Sequence, residues 1–139
     1  MLFRSQVVDR ARPLMQQAGL LDRCRLLSAD FFESVPAGAD VYLFRHIIHD
    51  WTDEQCRIIL TNVRKAIGPT GKLVVAEMVI PPGNERSFGK FLDVNMMLIP
   101  GGKERTEEEY RTLLRRSGFA LTRILPTRHE ISLVEGIPQ

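Results

Sequence analysis

DVYLFRHIIHDW, from Asp40 to Trp51, is an apolar run closed by two histidines, an aspartate and a tryptophan. The near-continuous apolar character of Asp40–Ile47 predicts a strand covered on both faces, as in a parallel sheet. Such a strand delivers His49 to a loop at the C-terminal edge, where open α/β sheets bind ligands. A helix start follows at once. Thr52 and Gln55 make a capping box, and Asp53 and Glu54 suit the positive end of the helix.

The neighbouring segments extend the pattern in both directions. Cys56, Ile59, Leu60, Val63 and Ile67 form one apolar stripe, and Gly68-Pro69 ends that helix. Lys72–Ile80, KLVVAEMVI, predicts a second buried strand, apolar throughout except for Glu77. Ser87 caps a helix carrying Phe88, Phe91, Leu92, Met96 and Ile99, which Pro100-Gly101-Gly102 breaks. Thr106 and Glu109 form a second capping box ahead of a helix that buries Tyr110, Leu113 and Leu114 and closes at Gly118. Phe119–Pro126 and Glu130–Val134 predict a final strand pair, joined by a connection short enough for a hairpin. Toward the N-terminus, Val7, Val8, Ala11, Leu14, Met15 and Ala18 recur at helical spacing, with Pro13 as a kink or a second start and Gly19 as C-cap. Leu2-Phe3 reads as the end of a strand, Cys24–Leu27 as a short strand, and Ser28–Phe32 as a loop with two exposed aromatics. Strands alternate with helices and end in a strand pair, so residues 1–139 are read as a single α/β domain with an antiparallel C-terminal edge.

Composition narrows the function. The 139 residues, with 44% hydrophobic and 26% charged content, are ordinary for a soluble globular domain with a real core. A net charge of +2, without a basic run interleaved with aromatics, argues against a nucleic-acid partner. No apolar stretch approaches the roughly 18 residues of a membrane span, and the N-terminus lacks a signal-peptide pattern. A cytoplasmic location without membrane contact is expected. Cys24 and Cys56 have no metal-type spacing. They read as reduced, buried small residues, and no metal site is expected.

Three polar residues stand where an economical core would not put them: His49, Glu77 and Glu104. A buried carboxylate needs a partner. If the two strands are neighbours, Glu77 lies near His49 and can orient its imidazole, which takes a proton near neutral pH. Structural readings compete. Glu77 can pair with Arg45 or Lys72, Glu104 and Arg105 can form a solvated ion pair, Trp51 can be a packing residue, and Asp30 a turn residue.

ADFFESVP (Ala29–Pro36), HDWTDEQC (His49–Cys56), VVAEMVIPPG (Val74–Gly83) and GGKERTEEEYRTLLRRSGF (Gly101–Phe119) occur in that order. With them the chain, from about Val7 onward, resembles the C-terminal catalytic domain of S-adenosylmethionine-dependent O-methyltransferases of the caffeate, hydroxyindole and bacterial polyketide type. The resemblance implies an incomplete Rossmann-like class I methyltransferase sheet, mostly parallel with an antiparallel C-terminal edge, lacking the first, central strand and the glycine-rich loop after it. It makes His49 the general base for methyl transfer to a small phenolic or hydroxylated acceptor, with Glu77 and Glu104 holding the imidazole. It places Asp30, Phe31 and Arg45 at the S-adenosyl-L-methionine site, and Trp51, Met96 and Met97 at the acceptor pocket. The family's ribose-binding acid falls near Phe3-Arg4-Ser5, where no acid stands. The open position in the sheet implies direct strand pairing across the gap, a strand-exchanged oligomer or a homodimer. A non-catalytic remnant acting as a binding module is the competing reading.

Overall fold

A computed structural model describes residues 2–3, 5–99 and 101–139. Pro100 and Arg4, the helix breaker and the centre of the ribose-acid stretch, lie outside the described residues. In chain order the elements are β1 (Leu2–Phe3), α1 (Ser5–Gln17), β2 (Leu27–Ser28), β3 (Val41–Arg45), α2 (Asp53–Ala66), β4 (Lys72–Ile80), α3 (Phe88–Leu98), β5 (Arg105–Thr106), α4 (Glu107–Arg116), β6 (Phe119–Pro126) and β7 (Ile131–Pro138). A single 3-10 turn, Ile48–Asp50, lies between β3 and α2.

The main sheet runs β3-β4-β7-β6. β3 pairs parallel with β4 from Val41↔Lys72 to Arg45↔Ala76. β4 pairs antiparallel with β7, Leu73 opposite Gly136 and Glu77 opposite Ser132. β6 and β7 form the expected hairpin, with a register shift between Leu121 and Arg123. β5, absent from the sequence reading, pairs parallel with Val79 and Ile80 at the far end of β4. This is the partly parallel α/β sheet with an antiparallel C-terminal edge.

The helices follow their sequence signals. Both capping boxes form, Thr52 with Gln55 and Thr106 with Glu109, and the Ser87 hydroxyl accepts from the N–H of Lys90. Pro13 sits inside a continuous α1. Gly19 ends that helix at φ +63°, where the N–H of Leu20 reaches the carbonyl of Met15. The α2 stripe Cys56, Ile59, Leu60, Val63 and Ile67 packs with Leu113 and Leu114 of α4 and with Leu73, Val75, Phe119 and Val134 of the sheet.

Several expectations are corrected. β3 covers five residues rather than Asp40–Ile47, and its outward face is open, with Val41 and Leu43 52% and 63% exposed. Continuous apolarity therefore does not mean two covered faces within these residues. β2 starts at Leu27, and residues 24–26 are irregular. β7 runs on to Pro138 because β4 and β6 template it on both sides. Phe88 and Phe91 of α3 and Ile99 at its C-cap are exposed, and only Leu92 and Met96 of the expected stripe are half-buried. β1 and β2 form their own parallel pair, so direct pairing does not close the gap to β3 among the described residues. The two cysteines are free, Cys56 buried and Cys24 half-buried.

Candidate active site

The site is assembled where β3 stops. The chain turns at His46, whose φ of +52° is unusual for a residue with a side chain, and then enters the 3-10 turn. Glu77, the first β4 residue past the end of the β3 pairing, lies beside that turn. Its carboxylate is fully buried. Oε1 accepts from the N–H of Ile47 at 3.0 Å and of Ile48 at 2.6 Å. Oε2 accepts from the Tyr110 hydroxyl at 2.8 Å. Three donors make burial of this charge tolerable. Among the described residues Glu77 makes no pair with Arg45 or Lys72; Lys72 bonds Glu135 instead.

Glu77 therefore does not hold the imidazole directly, contrary to the sequence reading. It holds the backbone from which the imidazole projects. The direct partner is Glu104, whose Oε1 lies 2.7 Å from His49 Nδ1. His49 and Glu104 are 7% and 2% exposed. The loop bearing Glu104 is pinned to the turn, since the N–H of Lys103 donates to the His49 carbonyl at 2.9 Å. From α3, Asp93 Oδ1 accepts the N–H of Glu104 at 2.8 Å. Glu104 Oε2 is buried with no hydrogen-bond partner among the described residues.

This arrangement raises the His49 pKa above 6.5. The hydrogen bond to Glu104 is the largest cause. Burial opposes it, and the charges of Glu77, Glu104 and Asp50 add to it. With the proton on Nδ1 directed at a carboxylate, Nε2 carries the lone pair. Asp50 Oδ1 stands 3.6 Å from Nε2 and faces the imidazolium once a proton arrives. Chemically, an imidazole held in this way can accept a proton at Nε2, with the carboxylate behind it favouring the Nδ1–H tautomer.

Glu104 and Arg105 are not a solvated ion pair. Arg105 is fully buried, and its guanidinium meets Asp53 Oδ1 at 2.8 Å. The sequence reading missed it, along with Tyr110 as a donor to Glu77, Asp93, Gly102 and Asn62. Asn62 donates to the carbonyls of Phe31 and Phe32 at 3.1 and 2.9 Å, fastening that loop to α2.

The remaining candidates fall in separate places. Asp30 is exposed, and its Oδ1 accepts from the N–H of Phe32 at 2.9 Å. Phe31 and Phe32 are half-buried rather than exposed, because both rings meet Trp51 edge-on, at centroid distances of 6.0 and 4.8 Å. Trp51 thus groups with Phe31, one of the cofactor candidates, and with Phe32. Arg45 is exposed at the end of β3. Met96 is half-buried and Met97 is 64% exposed on α3. Buried Gly89 brings this helix close to Met78 and Ile80 of β4.

Residues 3–120 match the O-methyltransferase domain. The chain belongs to that family. It is 45% identical over 132 residues to the phenazine O-methyltransferase PhzM of Lysobacter antibioticus, spanning 95% of this chain and 39% of that protein. The crystal structure of LaPhzM superposes with a TM-score of 0.96 at 42% identity, over 100% of this chain and 42% of the other. The O-methyltransferase NcsB1, solved with S-adenosylmethionine and 2-hydroxy-5-methyl naphthoic acid, gives a TM-score of 0.89 at 29% identity, over 99% and 40% of the two chains. The chain thus spans about two fifths of the length of the family members it matches, and the fold is the corresponding part of the class I methyltransferase sheet.

Proposed function

We propose that this domain carries the proton-abstracting part of an S-adenosylmethionine-dependent O-methyltransferase, with His49 as general base toward a hydroxyl of a small aromatic molecule. The observation that carries this reading is the buried 2.7 Å contact between His49 Nδ1 and Glu104 Oε1. It orients the ring, sets the tautomer and makes Nε2 a stronger base than a free imidazole. The acceptor hydroxyl is phenolic. A phenol with a pKa of about 10 holds little phenolate at neutral pH, so a positioned base matters. The hydroxynaphthoic acid bound by NcsB1 supports this substrate class.

The cofactor supplies a methyl group already activated by a sulfonium charge. This chain's residues fit one end of it. Phe31, backed by Trp51 and Phe32, offers a ring, and Asp30 keeps Oδ2 for a polar group of the adenosine. Arg45 stands exposed at the C-terminal end of β3. No Gly-x-Gly stretch is present to cradle the methionine end. The 139 residues alone therefore bind the cofactor weakly and turn over slowly. Met96 and Met97 line the acceptor side. The domain works in the cytoplasm and self-associates through the apolar faces left open on α3 and β3.

The test grafts this chain in place of the matched part of the Lysobacter phenazine enzyme. His49→Gln in that graft should lower turnover about 100- to 10,000-fold while calorimetric affinity for S-adenosylhomocysteine stays unchanged. Surviving turnover makes His49 structural. Tight S-adenosylhomocysteine binding by the ungrafted chain refutes the weak-binding part of this reading. A graft that binds cofactor yet never methylates favours the non-catalytic module instead.

A further inference from the structure

Arg105 has no role in the site as described so far, yet it is among the largest fully buried side chains of the protein. Burying a guanidinium is costly unless its donors are satisfied. One carboxylate would neutralise its charge, and Asp53 does so, accepting from Nε at 3.1 Å and from Nη2 at 2.8 Å. The other donors go elsewhere. Nη1 donates to the Ile48 carbonyl at 3.1 Å and the Lys103 carbonyl at 3.2 Å. Nη2 donates to the Trp51 carbonyl at 3.1 Å and meets Cys56 Sγ at 3.4 Å.

The acceptors share a pattern. Ile48 immediately precedes His49, Trp51 ends the turn that carries it, and Lys103 immediately precedes Glu104. These carbonyls lie on two segments more than fifty residues apart in sequence. We propose that Arg105 is the positioning residue of the His49–Glu104 pair, its planar fork clasping the backbone on both sides of His49 and the backbone leading into Glu104. It touches neither the imidazole nor the substrate. Its functional meaning rests on His49 being the base; the geometry of the resting pair does not.

Charge alone cannot do this. A lysine keeps the positive charge beside Asp53 but presents a point donor group in place of a rigid five-donor fork. It cannot span carbonyls from both segments while also pairing with Asp53. Arg105→Lys should therefore leave the ion pair and loosen the clasp.

Nitrogen-edited NMR of the His49 ring in the 139-residue chain reads the consequence. The groups facing that ring are Glu104, Glu77 and Asp50, with the His46 ring at a centroid distance of 5.4 Å. Glu104→Gln marks the behaviour of the ring without its carboxylate partner. In the unsubstituted chain the ring should be the Nδ1–H tautomer, with a slowly exchanging Nδ1 proton and a titration midpoint above the ordinary one. In Arg105→Lys the Nδ1 proton should exchange rapidly and the midpoint should move down toward that of Glu104→Gln, while circular dichroism still reports a folded chain. Asp53→Asn, which weakens the anchor of the guanidinium, should move both readouts the same way by less. A folded Arg105→Lys whose His49 signals match the parent overturns the proposal and leaves Arg105 a stability residue. If Arg105→Lys does not fold, unchanged His49 signals in Asp53→Asn overturn it equally. An active His49→Gln graft would sink the base assignment without altering these spectra, so the two failures are distinguishable.

Discussion

At the scale of single residues, the site depends on groups that hold backbone rather than on groups that touch a substrate. Glu77 anchors the amides of Ile47 and Ile48, and Gly102 lets the Glu104 loop lie against the turn. A Cβ on Gly102 would overlap the His49 carbonyl and sit 2.6 Å from the Asp50 carbonyl carbon and 2.7 Å from the Trp51 nitrogen. These are backbone atoms and cannot swing aside. Gly102→Ala should therefore lift the loop from the turn, destabilise the chain by about 1–3 kcal/mol in urea unfolding and lengthen the His49–Glu104 contact. Unchanged stability would show that the loop has room to move. The imidazole makes a second prediction. Its folded pKa is raised above the unfolded value near 6.5. Its contribution to stability is thus fully present below that value and fades as pH rises through the raised folded pKa. With His49 as the proposed base, methyl transfer should run the other way, because only the neutral ring accepts a proton. The acidic limb of the grafted enzyme's pH–rate profile should lie above 6.5 and fall in Glu104→Gln, whose amide carries no charge. A limb unmoved by Glu104→Gln would detach Glu104 from the base.

At the scale of elements, local signals predicted α2, β4, α4 and β6 almost residue for residue, because each is bounded by chemistry that acts within a few residues. Thr52 and Thr106 each accept the N–H three residues on, while Gln55 and Glu109 reach back to the cap. Thr106→Ala should cost about 1 kcal/mol by thermal unfolding. It also removes the 3.0 Å bond from the Thr106 hydroxyl to the Glu109 carboxylate, while the Thr106 N–H at 2.8 Å and Lys103 at 3.0 Å still hold that carboxylate. A loss no larger than that of an exposed control substitution would mean that packing alone holds the start of α4. Where elements depended on distant partners, local reading failed. β5 is two residues long and exists because β4 extends past the end of β3. The last strand continues to Pro138 because it lies between two others. α3 carries apolar residues around much of its circumference, and no sequence rule said which of them the remaining chain would cover.

At the scale of the whole molecule, two sheets stand among the described residues where the family resemblance implies one. β1 and β2 pair with each other, and β3 keeps an open edge with Val41 and Leu43 exposed. Phe91 and Met97 of α3 and Ile99 at its C-cap add side chains that are 65%, 64% and 80% exposed. A surface of this kind is costly to leave in water. The 139-residue chain should therefore self-associate, with light scattering giving a mass that rises with concentration. Phe91→Glu together with Leu43→Lys should shift it toward a monomer. A parent chain that stays monomeric at high concentration would refute the homodimer and the strand-exchanged oligomer together.

Patterning and capping in the sequence determined the helices, the central strands, the antiparallel edge and the family motifs. These are decided over distances of one to four residues, by hydrogen bonds and side-chain spacing that any local stretch carries with it. His49 and Glu104 were also legible, as polar residues among apolar neighbours and as motif positions. Tertiary structure alone decided which carboxylate meets the imidazole, why Arg105 is buried, that Trp51 joins Phe31, and which apolar faces stay open. Those outcomes depend on distances between segments remote from one another along the chain, more than fifty residues for the His49–Glu104 and Arg105–Ile48 contacts, and folding sets such distances only when the sheet forms.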